Sequence, residues 1–361
     1  MDLDLPLTAL GLMSGTSLDG IDVALLRTDG ESLIETGPWA TFTYEPNLRE
    51  LVRDVLGARG LVGEAESELT LAHAKAARRF LEQHRILTEA VDLIGFHGHT
   101  ILHRPQDGRT IQIGDGALLA RETGVSVVND FRSADVAEGG QGAPLAPLFH
   151  AALARGLDLP VAVLNLGGVA NVSWIGADNA VIAFDTGPGN APVDDWVRHH
   201  TGEAMDTGGA LARAGRVDRT LLADLLDHPY FDMPPPKSLD RNDFGWRAVA
   251  GLSVEDGAAT LAALAAHGVA RAADHFPAPV RRWLVTGGGR HNSAIMSALA
   301  GVLGVGVEPV EAVGWQGDAL EAQAFAWLAV RSYRALPLSV PSTTGVRRPL
   351  TGGRLFRAQG R

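Results

Sequence analysis

Short apolar runs separated by small polar residues open the chain: TALGLM, then SGTSLDG, then IDVALLR, TDG and SLIETGPWATFTY. Runs of this length broken by Gly, Ser, Thr and Asp predict three antiparallel strands joined by turns. The period then lengthens. Leu48–Ala58 and Glu66–Gln83 carry the spacing of amphipathic helices, Val91–Phe96 predicts a strand, the residues near Ala117–Glu122 a helix, and Val125–Asn129 another strand. The order is βββαβαβ. Past the Gly- and Pro-rich stretch GGQGAPLAP it starts again, with strands Val161–Leu166, Asn171–Ile175 and Ala180–Phe184 and the helical pattern APVDDWVRHH. An Ala-rich helix Val254–Ala273, a strand Trp283–Val285 and helices near Ser293–Ala300 and Asp318–Arg334 complete it. The chain reads as a duplication.

A repeated three-strand meander followed by helix and parallel strand implies an α/β protein: two similar domains facing each other across a central cleft, where ligands belong. The seam is expected near Asp130–Pro147, where charge, Gly and Pro concentrate. That gives a first domain of residues 1–132 and a second of 133–335. The tail, 336–361, is rich in Ser, Thr, Gly and Arg and is expected to pack back on the first domain as a strand or loop.

Composition narrows the function classes. The 361 residues are 46% hydrophobic and 20% charged, enough for two packed cores, and no cysteine is present to supply disulfides or thiolate metal ligands. Neither a signal-length apolar run at the start nor a membrane-length one elsewhere is visible, so a cytoplasmic location without a membrane partner is expected. A net charge of -11 repels nucleic acid. Any phosphate ligand must therefore be held locally, by backbone amides, a few arginines and a divalent ion.

Four Gly-rich segments offer such devices. The first turn, Met13–Gly20 (MSGTSLDG), is too long for a minimal hairpin and can aim successive N–H groups at a phosphate, although its residues also suit a solvated turn. The second meander has a Gly-rich turn at the same structural point, LNLGGVANVS. Next comes FDTGPGN, Phe184–Asn190, where a strand end, a Gly-Pro-Gly turn and a helix start present one carboxylate, Asp185, at a fixed place. Last is VTGGGRHN, Val285–Asn292, whose three glycines would let a flat nucleoside lie against backbone.

These features in two duplicated halves resemble the superfamily of acetate and sugar kinases, Hsp70 and actin, with ribonuclease H-like (actin-like ATPase) domains. Within it, GLMSGTSLDGIDVAL, FHGHTILHRP, QIGDG, VVNDFRSADVAEGGQGAPL, LNLGGVANVS, AFDTGPGN and TGGGRHN are similar to the anhydro-N-acetylmuramic acid kinase family, collinearly from about Leu10 to about Ala329. Two departures stand out. His99 occupies a position where the family's HGQT-like segment has Gln, and KSLDRNDF, Lys237–Phe244, replaces a KSTGRE-like run.

The resemblance implies a kinase that opens the 1,6-anhydro bond of 1,6-anhydro-N-acetylmuramic acid with water and phosphorylates O6, using ATP and Mg²⁺, in bacterial peptidoglycan recycling; it also implies a homodimer. Nucleotide contacts are expected from Gly11, Met13, Ser14, Gly15, Thr16, Ser17, Asp19, Gly20, Asn165, Gly167, Gly168, Gly287, Gly288 and Gly289, with Asp19 holding the metal through water. Sugar contacts fall to His97, Thr100, Arg132, Asp185, Gly187 and Asn190. Asp185 is the expected base for the water, and Arg132 and Glu321 match positions that touch sugar or water. Glu321 also has a purely local reading as a first-turn Glu favoured by the helix dipole. His97 and His99 are expected on one face of a strand, where sugar contact is favoured over a zinc site. An actin- or Hsp70-like ATPase is the alternative from a different class, since fold alone does not fix function.

Overall fold

The computed structural model describes residues 5–15, 18, 20–178, 180–241 and 243–358. Its first strands are β1 (Leu7–Met13), β2 (Gly20–Thr28) and β3 (Ile34–Thr43), an antiparallel meander. Side chains alternate across β1: Leu10 and Leu12 enter a core with Leu69 and Phe80 of helix Val62–His84. Gly11 faces the other way, onto helix Leu320–Tyr333. β4 (Leu93–Phe96) lies parallel to β1, a hairpin of β5 (His99–Arg104) and β6 (Arg109–Ile113) follows, and β7 (Val127–Asn129) lies parallel to β4.

The second half repeats this plan. β8 (Val161–Leu166), β9 (Val169–Ile175) and β10 (Val181–Pro188) form the meander, and β11 (Arg282–Thr286) and β12 (Gly306–Pro309) add parallel strands beside β8. Finally β13 (Arg354–Phe356) pairs antiparallel with β7. Each sheet thus carries the order 3-2-1-4-5, with β13 appended to the first. That order, with only the second strand antiparallel to the rest, is the ribonuclease H-like arrangement of actin-like ATPases, present twice.

Helix Val254–Ala272 packs on the second sheet and buries thirteen residues, mostly Ala and Leu. Its small side chains permit a close approach: a Cβ at Gly257 would lie 2.5 Å from the Trp196 ring. Ser253 caps its start by accepting from Asp256 N. No helix among the described residues is long and apolar enough to cross a membrane.

The compact units differ from the boundaries expected from sequence, 1–132 and 133–335. Residues to Leu153 join Ala319 onward in one unit, and Ala154–Asp318 form the other. The physical reason is helix Leu320–Tyr333, which packs on β1 and β4. A Cβ at Gly11 would sit 1.7 Å from Ala322 O and one at Gly95 2.0 Å from Phe325 O, so both glycines exist to let that helix backbone in. The tail does return to the first unit. β13 pairs with β7, while Thr344 Oγ1 (2.7 Å) and Ser339 Oγ both donate to buried Asp135.

Candidate active site

In the second unit, three of the Gly-rich segments meet at the ends of β8, β10 and β11. Gly189 N donates to Gly168 O (3.0 Å) and Asn190 N to Gly167 O (2.8 Å), tying the FDTGPGN loop to the β8–β9 turn. Asn190 Nδ2 reaches Leu166 O at 3.1 Å. The third segment closes in from β11. An added Cβ at Gly287 would meet Asn165 Oδ1 at 2.4 Å, and one at Gly289 would meet Asn190 Oδ1 at 2.6 Å. Asn165, Gly167, Gly168, Asn190, Gly287 and Gly289, scattered over the sequence, are brought together here, with Asp185 and Gly187 on the strand that leads into the loop.

The glycines there do different work. Gly287 has φ +78 and Gly187 φ +146, angles that disfavour any side chain, and Gly189 is pressed against Gly167 O. Gly167 and Gly168 have no such reason. A Cβ on either would find no described neighbour nearer than 3.4 Å, and neither has a left-handed φ. A side chain at Gly168 would come into ordinary contact with Ala191 Cβ (3.4 Å) and Arg241 Nε (3.6 Å), so the turn is neither strained nor crowded by backbone. Asn190 Oδ1, buried and without a hydrogen-bond partner among the described residues, is a further polar atom at the same place.

Asp185 lies inside β10, whose pairing with β9 slips between Asp185 and Gly187. Expectation placed it at the strand's end; the strand instead runs on to Pro188, and the bulge re-aims the residues around it. The residue is 9% exposed. A segment that sequence reasoning did not connect to it holds it from the other side. Asp185 N donates to Lys237 O (3.0 Å), Leu239 N to Asp185 Oδ2 (2.8 Å), and Tyr230 OH to Asp185 O (2.6 Å). Burial, with Asp185 and Asp243 nearby, pushes the Tyr230 phenol well up, so it stays a donor. The KSLDRNDF departure is therefore part of the mounting of Asp185. Only the physical pairing reveals this, because Lys237 and Leu239 reach Asp185 through backbone atoms.

In the first unit, Ser14, His97, His99, Thr100 and Arg132 cluster around β4, β5 and β7. His97 is buried in the turn after β4. Its Nδ1 lies 2.9 Å from Gly98 O and so carries the proton, while Nε2 accepts from Arg132 Nη2 (3.0 Å) and Nε (3.3 Å). Burial and the neighbouring guanidinium hold its pKa well below the usual range. Arg132 also donates to Gly142 O at 2.8 Å, which fixes the fork. His99 has different partners: its Nδ1 bonds Ser14 Oγ (2.9 Å), which also meets Tyr44 OH. Burial lowers the His99 pKa to about 4 and raises that of Tyr44 to about 12. The Ser14 hydroxyl thus braces the start of the first Gly-rich turn.

Thr100 Oγ1 accepts from Gln112 Nε2 at 3.2 Å. Met13 ends β1, Gly15 O accepts from Leu18 N (3.1 Å), and Gly20 is pressed against Phe42 O by the β2–β3 pairing. Glu321 sits exposed in the first turn of its helix. Thr16, Ser17 and Asp19, and with them the expected metal contact, lie outside the described residues.

Over residues 7–358 the chain matches the family described as anhydro-N-acetylmuramic acid kinase. It belongs to that family. The anhydro-N-acetylmuramic acid kinase of Paramagnetospirillum magneticum is 59% identical over 349 residues, covering 96% of this chain and 98% of that protein. The one from Rhodospirillum rubrum is 59% identical over 356 residues, with 97% and 94% covered. Among solved structures, (R)-2-hydroxyglutaryl-CoA dehydratase component A of Acidaminococcus fermentans matches with a TM-score of 0.50 at 12% identity, over 91% of this chain and 99% of that one, a likeness of fold alone. Membership in the anhydro-N-acetylmuramic acid kinase family sets aside the partner-driving ATPase alternative. It also joins the sequence resemblance to a fold built from the same motifs.

Proposed function

We propose that Asp185 is the base through which this anhydro-N-acetylmuramic acid kinase opens its substrate's 1,6-anhydro ring. Water adds to C1 as Asp185 takes its proton, the C1–O6 bond breaks, and O6 becomes the nucleophile toward phosphorus, giving N-acetylmuramic acid 6-phosphate. ATP with Mg²⁺ supplies the phosphoryl group. In the second unit, Gly167 and Gly168 leave room for phosphate oxygens, Asn165 and Gly287–Gly289 border the nucleoside, and Gly187 and Asn190 line the approach to Asp185. In the first unit, neutral His97 braces the Arg132 fork through Nε2, and Arg132, Thr100 and Glu321 orient sugar or water. The family resemblance assigns the turn from Ser14 to Ser17 to the terminal phosphate and Asp19 to the metal through water.

The observation that carries this reading is the mounting of Asp185, a nearly buried carboxylate with its N–H, its C=O and one Oδ each held by a named partner. A base so fixed needs little reorganisation during proton transfer. Asp185→Asn should keep ATP binding yet lower kcat about 10³-fold, within the range for a lost general base. ADP release measured with and without anhydrosugar decides it, and wild-type turnover in that variant would sink the assignment. A homodimer in a bacterial cytoplasm, serving recycling of peptidoglycan fragments, completes the proposal; a monomeric mass by light scattering would remove the dimer from it.

A further inference from the structure

We infer that Lys237 is a positioning residue for Asp185, closing a ring of contacts that fixes the carboxylate. This rests on Asp185 being the base. The Lys237 side chain is 4% exposed, and its Nζ donates to Tyr230 O (2.9 Å) and Phe231 O (3.2 Å). Tyr230 in turn gives its hydroxyl to Asp185 O, and Asp185 N returns to Lys237 O. The loop of bonds Lys237–Tyr230–Asp185–Lys237 is closed, and two residues later Leu239 N reaches the carboxylate itself.

The ammonium also lies 4.7 Å from the centre of the Tyr230 ring and 5.8 Å from that of Phe184, the residue before Asp185. A buried lysine is costly unless its charge is used. Here two carbonyls converge on one Nζ, which a neutral side chain with one donor could not satisfy. Burial lowers the Lys237 pKa to about 8, with Asp232 and Asp185 opposing that fall and Arg271 adding to it. Asp232 and Arg271 are paired with each other at the surface. Within the ring itself the negative charge is that of Asp185.

The motif therefore explains why the Lys237–Phe244 run can depart from its family form from Leu239 onward. What the mounting takes from residues 237–239 is one buried ammonium and two backbone groups.

The test uses the full-length enzyme. Lys237→Met, which keeps length and apolar volume but removes the donors, should lower kcat 10- to 10²-fold, with KM for ATP and for anhydrosugar within about twofold. Lys237→Arg should recover most of the loss. In an Asp185→Asn background, where no base remains to be positioned, Lys237→Met should cost nothing further. Tyr230→Phe, which deletes one hydroxyl from the ring, should repeat the kcat-only loss more weakly. A folded Lys237→Met enzyme with wild-type kcat overturns the inference, as does an equal loss in the Asp185→Asn background. If Lys237→Met does not fold, Tyr230→Phe decides, and unchanged kcat there refutes the ring. Retained turnover in Asp185→Asn alone would instead remove the base assignment, so the two failures are distinguishable.

Discussion

Gly189 is the tightest joint in the second unit's site, and replacing it by alanine probes how rigidly the base-bearing loop is bound to the β8–β9 turn. The new Cβ would stand 2.2 Å from Gly167 O and 3.1 Å from Ala170 N. Both neighbours are backbone and cannot swing aside, so the loop must retreat by roughly 1 Å to reach van der Waals distance. That retreat stretches the bonds Gly189 N to Gly168 O and Asn190 N to Gly167 O. Losing two hydrogen bonds at about 1 kcal/mol each, and adding overpacking of about 1–3 kcal/mol, gives a destabilisation of about 3–5 kcal/mol. Asp185 lies four residues upstream, in the strand that leads into this loop, and a shift of roughly 1 Å in a catalytic group commonly costs about 10²-fold in rate. Thermal unfolding followed by far-UV circular dichroism, with kcat from coupled ADP release, measures both quantities. A Gly189→Ala enzyme with wild-type Tm and kcat would show that turn and loop move independently, and the reasoning from their contacts would fall.

Gly168→Ala should behave oppositely: its Cβ meets nothing closer than Ala191 Cβ at 3.4 Å, an ordinary contact, so Tm should hold within a degree or two while KM for ATP rises about tenfold; unchanged KM would mean no phosphate approaches that turn. Acid should unfold the protein through its buried histidines. His73, His99 and His150 are held neutral by burial, with pKa values lowered to about 4 from 6.5. Because these values are depressed in the fold, the stability they contribute is complete above about pH 6.5 and is lost as pH falls toward 4, on the order of 1–3 kcal/mol per histidine. Urea midpoints measured between pH 7 and 4 should fall through that window, and a flat profile would contradict the burial argument.

The duplication was legible because hydrophobic period survives without tertiary context. The strands starting at Leu7 and Val161 and the helix at Val254 were all expected within a few residues. The β5–β6 hairpin was missed, since FHGHTILHRP mixes polar and apolar residues too evenly to show a period of two. Glycine was the weakest guide in the site. Gly11 and Gly168 look alike in sequence, yet one admits a helix backbone and the other has no backbone within 3.4 Å of where a side chain would start. Tyr230 and Lys237 could not be found because what they contribute is a pairing across more than forty residues of chain, and pairing partners have no signature in one sequence.

The order in which the chain visits its two units has a consequence for biosynthesis. All of Ala154–Asp318 leaves the ribosome before the helix at Leu320 and the strand at Arg354 that the N-terminal sheet needs. The later-coded unit can therefore finish folding first. Until the last segment emerges, the nascent N-terminal sheet presents Gly11 and Gly95 on an uncovered face and β7 as an open edge. That interval, rather than the finished enzyme, is where a chaperone would have most to shield.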